Sequence, residues 1–175
     1  SREAAESIFA KVSERVTPTP LEAAVEKRFA RKLAARIEEA LGGGVRVRFV
    51  GSTARDTGIK NDRDIDLFVA FPQGRKLESM VKTLGTALQE KIKAKWEMHY
   101  ADHPYFQAQI NQYEVEVIPC YTISKNERII SAVDRTPLHA TYLQEKLTQQ
   151  QRRDVRVLKK LLKAQGVYGA ESEIQ

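Results

Sequence analysis

A pair of carboxylates separated by one apolar residue, Asp64-Ile65-Asp66, begins an otherwise apolar run that ends at Phe71. In a β-strand, residues two apart project from the same face, so Asp64 and Asp66 are predicted to point together while Ile65 points the other way. Two carboxylates on one face provide the oxygen ligands that Mg²⁺ prefers, often together with substrate phosphates. The pattern therefore predicts a strand over 64–71 with an acidic end.

A Gly-Ser turn, Gly51-Ser52, lies eleven residues before this strand. It directly follows residues 45–50, where apolar and basic side chains alternate up to the last residue, as expected for a half-exposed strand. Such a turn before an acidic strand can hold a nucleoside triphosphate and its metal ions at once. Gly-Ser alone marks many turns, and an acidic pair alone is most often the solvent face of a strand. The hypothesis therefore depends on the combination.

A second acidic pair, Glu114 and Glu116, lies two residues apart in the predicted strand 113–120. If this strand neighbours 64–71, one of its carboxylates completes a cluster of three acids. Crowded carboxylates repel one another, and divalent metal ions remove that repulsion. The sequence leaves open which of the two glutamates takes part.

The remaining pattern predicts an α+β domain with a mixed sheet of about five strands flanked by helices. Thr19 is a predicted N-cap, the three glycines at 42–44 end a helix, Asn111-Gln112 forms a hairpin turn, and Pro119 closes the last strand. Predicted helices cover 2–16, 21–41, 74–95, 136–148 and 151–165; predicted strands cover 45–50, 64–71, 96–100, 105–110 and 113–120.

Composition restricts the class of protein. With 175 residues, 42% hydrophobic and 30% charged, the chain fits one ordinary soluble globular core. It has no apolar run of membrane-spanning length, and its first residues lack the apolar stretch of a signal peptide. The single cysteine, Cys120, cannot form an internal disulfide, so a reducing cytoplasm is the expected compartment.

The net charge of +6 is unevenly distributed, since residues 144–166 alone have a net charge of +5. This concentration is consistent with a surface for phosphates, but charge by itself favours a solvated helix face. The basic residues in the segment are Lys146, Arg152, Arg153, Arg156, Lys159, Lys160 and Lys163.

The Gly-Ser turn, its eleven-residue spacing and Asp64-Ile65-Asp66 resemble the signature of the DNA polymerase β-type nucleotidyltransferase superfamily. The chain is more closely similar to archaeal-type CCA-adding enzymes, the tRNA nucleotidyltransferases, in five blocks of the same order: 49–55, 100–105, 117–121, 131–139 and 162–171. The resemblance implies a polymerase β-like catalytic head at 1–135, followed by a helical segment at 136–175 that begins a central domain. It also implies template-independent addition of nucleotides from CTP and ATP to the tRNA 3′ end, with two Mg²⁺ ions, in the cytoplasm.

The resemblance also implies roles for individual residues. Asp64 and Asp66 would bind both metal ions, and Glu116 stands where the family usually has a third carboxylate, an aspartate. Ser52 and Arg55 would contact the triphosphate. Four further positions match residues around the incoming nucleotide: Thr136, His139, Lys159 and Tyr168. Thr136 also suits a helix cap before Pro137, and His139 and Tyr168 also suit ordinary packing.

Two departures keep other functions open. Glu116 is one methylene longer than aspartate, and catalytic geometry is sensitive to about 1 Å. The family also continues beyond the block at 162–171 into further domains, whereas this chain stops at Gln175. A nucleotidyltransferase acting on another RNA, a protein or a small molecule is one alternative. A nucleotide- or RNA-binding module without turnover is the other.

Overall fold

The structure, a computed structural model, describes residues 1–100, 103–122 and 146–166. The helices are α1 (Arg2–Val16), α2 (Pro20–Leu41), α3 (Gly51–Ala54), α4 (Leu77–Lys91) and α5 (Gln149–Ala164). The strands are β1 (Arg46–Val50), β2 (Asp64–Phe71), β3 (Glu97–Tyr100), β4 (Pro104–Ile110) and β5 (Tyr113–Tyr121). None of the helices in these ranges combines the length and apolarity needed to cross a bilayer.

The five strands form one mixed sheet in the order β1-β2-β5-β4-β3. β2 and β5 run parallel, and each of the other neighbouring pairs is antiparallel. Parallel neighbours need a long crossover, and here α4, β3 and β4 lie between β2 and β5 in sequence. The predicted α+β fold with a five-stranded mixed sheet is confirmed.

One face of the sheet is covered by α2 and α4. Alternate residues of β2 point into this core, and Ile65 is fully buried there. Ile65 therefore lies on the face opposite Asp64 and Asp66, as predicted. Ala30 and Ile37 of α2 and Leu84 of α4 belong to the same apolar cluster. Because the helices bury this face, the acidic residues of β2 and β5 project from the opposite one.

Local sequence signals explain several element ends. Thr19 and Glu22 form a capping box: Thr19 Oγ1 accepts the Glu22 N–H at 3.1 Å, and Glu22 Oε2 accepts the Thr19 N–H at 2.8 Å. Gly42 ends α2 at φ +57°, and Asn111 turns the β4–β5 hairpin at φ +55°. These predicted ends are confirmed.

Three predicted boundaries were wrong. α4 is shorter than 74–95, because Gly74 adopts φ +93° before it and Ile92 is extended after it. β5 continues past Pro119, where pairing with β4 has already ended at Val117, so the missing proline N–H is tolerated as at an edge. Thr148 caps α5 instead of ending the helix predicted over 136–148, most of which lies outside the described residues.

The orientation of α5 is unusual for an amphipathic helix. Its basic stripe, Arg152, Arg156, Lys159 and Lys163, contacts the loop between α3 and β2. Leu158 and Leu161 on another side of the helix remain 54% and 56% exposed. Amphipathic surface helices ordinarily bury the apolar stripe. The docking of α5 against the α3–β2 loop therefore rests mainly on charged hydrogen bonds.

Candidate active site

Gly51 brings the turn after β1 against the acidic end of β2. β1 pairs with β2 so that Val50 lies opposite Asp66, and Gly51 then begins α3 at φ +79°. A Cβ atom built on Gly51 would lie 1.8 Å from Asp66 Oδ2 and 2.8 Å from Asp66 Cγ. The Asp66 carboxylate thus occupies the space that a side chain at position 51 would need, and the backbone conformation also favours glycine.

The parallel register of β2 and β5 aligns the two acidic pairs. Asp64 lies opposite Glu114, and Asp66 lies opposite Glu116, so the four side chains share one face of the sheet. The structure therefore brings together Asp64, Asp66 and Glu116, the three carboxylates singled out from the sequence. It also places Glu114, the other glutamate that the sequence left open, beside Asp64.

Burial and like charges make ionisation of these carboxylates unfavourable. Burial, then Glu116 and Asp64, raise the pKa of Asp66 to about 7. Burial, followed by Asp62 and Glu114, raises the pKa of Asp64 to about 6. Burial and Glu114 also raise the pKa of Glu116. A cation at this face would relieve the charge crowding, which fits a metal-binding role.

The donor set fits a divalent cation through Asp64 and Asp66. Among the described residues, no three His, Cys, Asp or Glu side chains are grouped so that they could hold one ion. Mg²⁺ commonly takes only one or two protein carboxylates and completes its shell with water and substrate phosphates. Two carboxylates on one strand, together with water and substrate phosphates, are therefore enough for such an ion.

Two basic residues on other elements act electrostatically on the carboxylates. Arg55 caps the C-terminal end of α3, and Lys159 projects from α5. The charges of both residues act to lower the pKa of Asp66, against the larger effect of burial. Lys159 Nζ also donates to the Thr57 carbonyl at 3.2 Å. Positive charges beside buried carboxylates are suited to an anionic ligand such as a triphosphate.

Ser52 lies within α3 and is half-buried. Its carbonyl accepts the Thr57 N–H at 2.9 Å, which folds the following loop back over α3. Thr53 Oγ1 donates to the Asp64 carbonyl at 3.2 Å and so ties α3 directly to the start of β2. The other predicted nucleotide contacts lie outside the described residues: Thr136, His139 and Tyr168.

The sequence predicts no individual role for four residues that contact β2 or belong to the contacts of the α3–β2 loop: Thr53, Asp56, Arg152 and Arg156. Arg152 and Arg156 enter the sequence analysis only as members of the basic segment at 144–166. Thr53 lies inside the turn block, but its tie to the Asp64 backbone depends on tertiary structure. The basic residues of α5 recur at spacings of three and four, which places them on one helix face. That spacing was a usable signal, although it does not identify the loop that this face contacts.

Relatives and solved structures are similar to this chain over most of its length. The chain is 41% identical to the CCA-adding enzyme of Pyrobaculum neutrophilum over 172 residues, 97% of this chain and 41% of the relative. It is 41% identical to the CCA-adding enzyme of Halobacterium salinarum over 174 residues, 98% of this chain and 38% of the relative. The chain thus spans about two fifths of the length of these relatives.

Solved structures with this fold include a cytoplasmic RNA terminal U-transferase, with a TM-score of 0.67 and 12% identity over 93% of this chain and 46% of that one. The MgGTP-bound Cid1 poly(U) polymerase gives a TM-score of 0.70 with 13% identity, over 93% of this chain and 49% of that one. At these identities the likeness shows the fold alone.

The family profile of the nucleotidyltransferase domain matches residues 30–139, well over half of the chain. The match includes β1, the Gly-Ser turn and both acidic strands. The chain belongs to the nucleotidyltransferase domain family.

Proposed function

We propose that this chain is the catalytic head of a tRNA nucleotidyltransferase, which adds nucleotides from CTP and ATP to the tRNA 3′-hydroxyl without a template. The main supporting observation is the packing of Asp66 against Gly51, in register with Glu116. This contact joins the turn suited to a triphosphate to the carboxylates suited to a metal. The names of the relatives favour CCA addition as the activity and tRNA as the acceptor.

In the proposed site, Asp64 and Asp66 hold divalent metal, most simply two Mg²⁺ ions, with Glu116 as an additional carboxylate. Bound ions neutralise charge on the triphosphate and make the attacking hydroxyl more acidic. Ser52 and Arg55 bind the triphosphate, and Lys159 adds a positive charge beside it. Asp66 and Glu116 orient the 3′-hydroxyl. Its oxygen would bond to the α-phosphorus as the bond to pyrophosphate breaks, and one of these carboxylates would accept the hydroxyl proton.

Thr136, His139 and Tyr168 complete the proposed contacts with the incoming nucleotide. Thr136 is also a candidate cap for the helix predicted from the sequence over 136–148. In this proposal residues 1–135 form the catalytic head and 136–175 begin the central domain. Cytoplasmic localisation belongs to the same proposal, because it is the compartment expected from the single cysteine.

The direct test is extension of tRNA that lacks its 3′-terminal CCA, with Mg²⁺ and labelled CTP or ATP. Asp64→Ala and Asp66→Ala should each reduce extension by about a thousandfold, because each removes a ligand of the divalent metal that stabilises charge on the reacting phosphates. Glu90→Ala is the matched control, since Glu90 is exposed on α4 on the opposite face of the sheet. If a full-length relative extends the tRNA but this chain does not, the chain has no independent CCA-adding activity.

Two observations favour alternative functions, namely transfer to another acceptor and binding without turnover. The same fold occurs in an RNA terminal U-transferase, so another RNA acceptor is compatible with this head. A panel of RNA, protein and small-molecule acceptors separates these cases, and preference for a protein hydroxyl would contradict CCA addition. Glu116, one methylene longer than the aspartate usual at this position in the family, favours a binding module, because catalytic geometry is sensitive to about 1 Å. Such a module would bind nucleotide or RNA without incorporation, and incorporation that Asp66→Ala abolishes would refute it.

A further inference from the structure

The loop after α3 is held from outside by the basic stripe of α5. Arg152 Nη1 donates to the Arg55 carbonyl at 2.7 Å and to Asp56 Oδ2 at 3.1 Å. Arg156 donates through Nε to the Gly58 carbonyl at 3.1 Å and through Nη2 to the Asp56 carbonyl. Two guanidinium groups therefore bind three backbone carbonyls of the loop, those of Arg55, Asp56 and Gly58, and one carboxylate.

Asp56 is the centre of this arrangement. It adopts φ +55°, a left-handed conformation that non-glycine residues seldom use and that asparagine and aspartate tolerate best. Its carboxylate accepts from Arg152 of α5 and also from Lys27 of α2, at 2.5 Å from Lys27 Nζ. We refer to Asp56, Lys27, Arg152 and Arg156 together as the loop clamp.

The loop clamp holds the backbone of Arg55, the residue that precedes Asp56. The carbonyls of Arg55 and Asp56, on either side of the Asp56 backbone, both accept hydrogen bonds from α5. These bonds fix the direction in which the chain leaves α3 and hence the point from which the Arg55 side chain starts. Arg55 directly follows the four-residue helix α3, whose Gly51 packs against the Asp66 carboxylate, so this bend holds Arg55 close to the acidic residues. Its charge also acts to lower the pKa of Asp66.

We propose that Arg152 and Arg156 are positioning residues, which hold Arg55 where it binds the triphosphate and thereby set the affinity for nucleotide. This inference rests on the proposed function, because it takes Arg55 as a triphosphate ligand. The hydrogen bond from Arg152 uses the backbone carbonyl of Arg55 and not its side chain. The guanidinium of Arg55 is therefore left for the ligand. The basic stripe thus acts on the ligand through the loop.

The test is the affinity of the whole chain for ATP with Mg²⁺, measured by calorimetry without an acceptor. Arg152→Gln and Arg156→Gln should each weaken ATP binding about tenfold, since each removes charged hydrogen bonds that order the loop. Arg153→Gln is the matched control. It removes the same charge from the same helix, but Arg153 contacts Ser13 Oγ at 2.9 Å and the Phe9 ring of α1. Its ATP affinity should stay within about twofold of the unsubstituted chain.

A double-mutant cycle distinguishes positioning from general weakening of the fold. If Arg156 acts through Arg55, adding Arg156→Gln to Arg55→Gln should change the ATP affinity less than about twofold further. Equal tenfold losses in both backgrounds would overturn the inference. Arg156→Lys keeps the positive charge but removes the planar guanidinium that makes two hydrogen bonds at once, so it should still weaken ATP binding. This variant replaces Arg156→Gln in the test if Arg156→Gln does not fold.

The two proposals fail in different ways. If the unsubstituted chain binds no ATP with Mg²⁺, the proposed function is refuted and the positioning role falls with it. If the unsubstituted chain binds ATP and the clamp variants bind it equally well, only the positioning role is refuted.

Discussion

Gly51→Ala should inactivate the site because of the space that Asp66 occupies. A Cβ at this position would lie 1.8 Å from Asp66 Oδ2, whereas real Cβ contacts essentially never fall below 3.0 Å. Asp66 must therefore move by roughly 1 Å or more, a displacement that typically lowers catalytic rates about hundredfold. The left-handed backbone, at φ +79°, adds a separate penalty of about 1–2 kcal/mol for any residue with a Cβ.

Gly44→Ala separates these two effects. Gly44 has the same φ of +79°, but a Cβ there would meet only Pro72 Cγ, at an ordinary 3.8 Å. Both variants should lose about 1–2 kcal/mol from the backbone, or roughly 2–8 °C in melting temperature for a chain of this size. Only Gly51→Ala should also lose extension of tRNA lacking CCA.

The measurements are thermal unfolding and initial rates of labelled CTP or ATP incorporation on the same preparations. A Gly51→Ala rate above about a third of the unsubstituted rate would show that close packing of Asp66 on the turn is not required for transfer. An equal loss of activity in Gly44→Ala, which is remote from the carboxylates, would show that the backbone penalty and not the displaced Asp66 lowers the rate.

The remaining predictions concern single residues. Glu116→Ala should lower nucleotide incorporation about hundredfold, and Glu116→Asp should lower it less than tenfold. Glu114→Ala should retain most of the activity. Comparable losses of activity in Glu116→Ala and Glu114→Ala would contradict the assignment of Glu116 as the third carboxylate. Without metal, the raised pKa of Asp66, about 7 against an ordinary 3.8, means that folding stability falls as pH rises from about 4 to about 7. Asp66→Asn should therefore raise the melting temperature at pH 8 by at least about 3 °C but not at pH 4, and Mg²⁺ should stabilise only the unsubstituted chain. Thr19→Ala should lower the free energy of unfolding by about 1 kcal/mol without changing ATP affinity, as urea titration would show.

Local chemistry explains what the sequence could predict. The alternation around Ile65 gave both the strand and its buried side, and the Thr19 cap and the Asn111 turn depend on neighbouring residues only. The contact of Asp66 with Glu116 is different, because their strands are far apart in sequence and α4 intervenes. No local pattern sets that register. From the sequence one could say only that a third carboxylate would join Asp64 and Asp66 if the two acidic strands were neighbours.

The wrong boundaries have the same physical origin. A proline ends a strand only where its N–H would face a paired neighbour, and Pro119 lies beyond the β4 pairing. Whether α5 would dock through its leucines or its basic stripe also depends on what lies opposite. The acceptors for Arg152 and Arg156 are mostly backbone carbonyls of the α3–β2 loop, which have no signature in the sequence.

The docking of α5 through its charged stripe makes this part of the fold responsive to ionic strength. The distance over which salt screens charges, the Debye length, is about 8 Å at physiological ionic strength and becomes shorter as the salt concentration rises. Apolar packing is largely unaffected or strengthened by the same salt. The core under α2 and α4 should therefore withstand concentrated salt that loosens α5 from the loop after α3. In this domain, the salt content of the cell would act first on the segment that follows the Gly-Ser turn, before it affects the stability of the sheet.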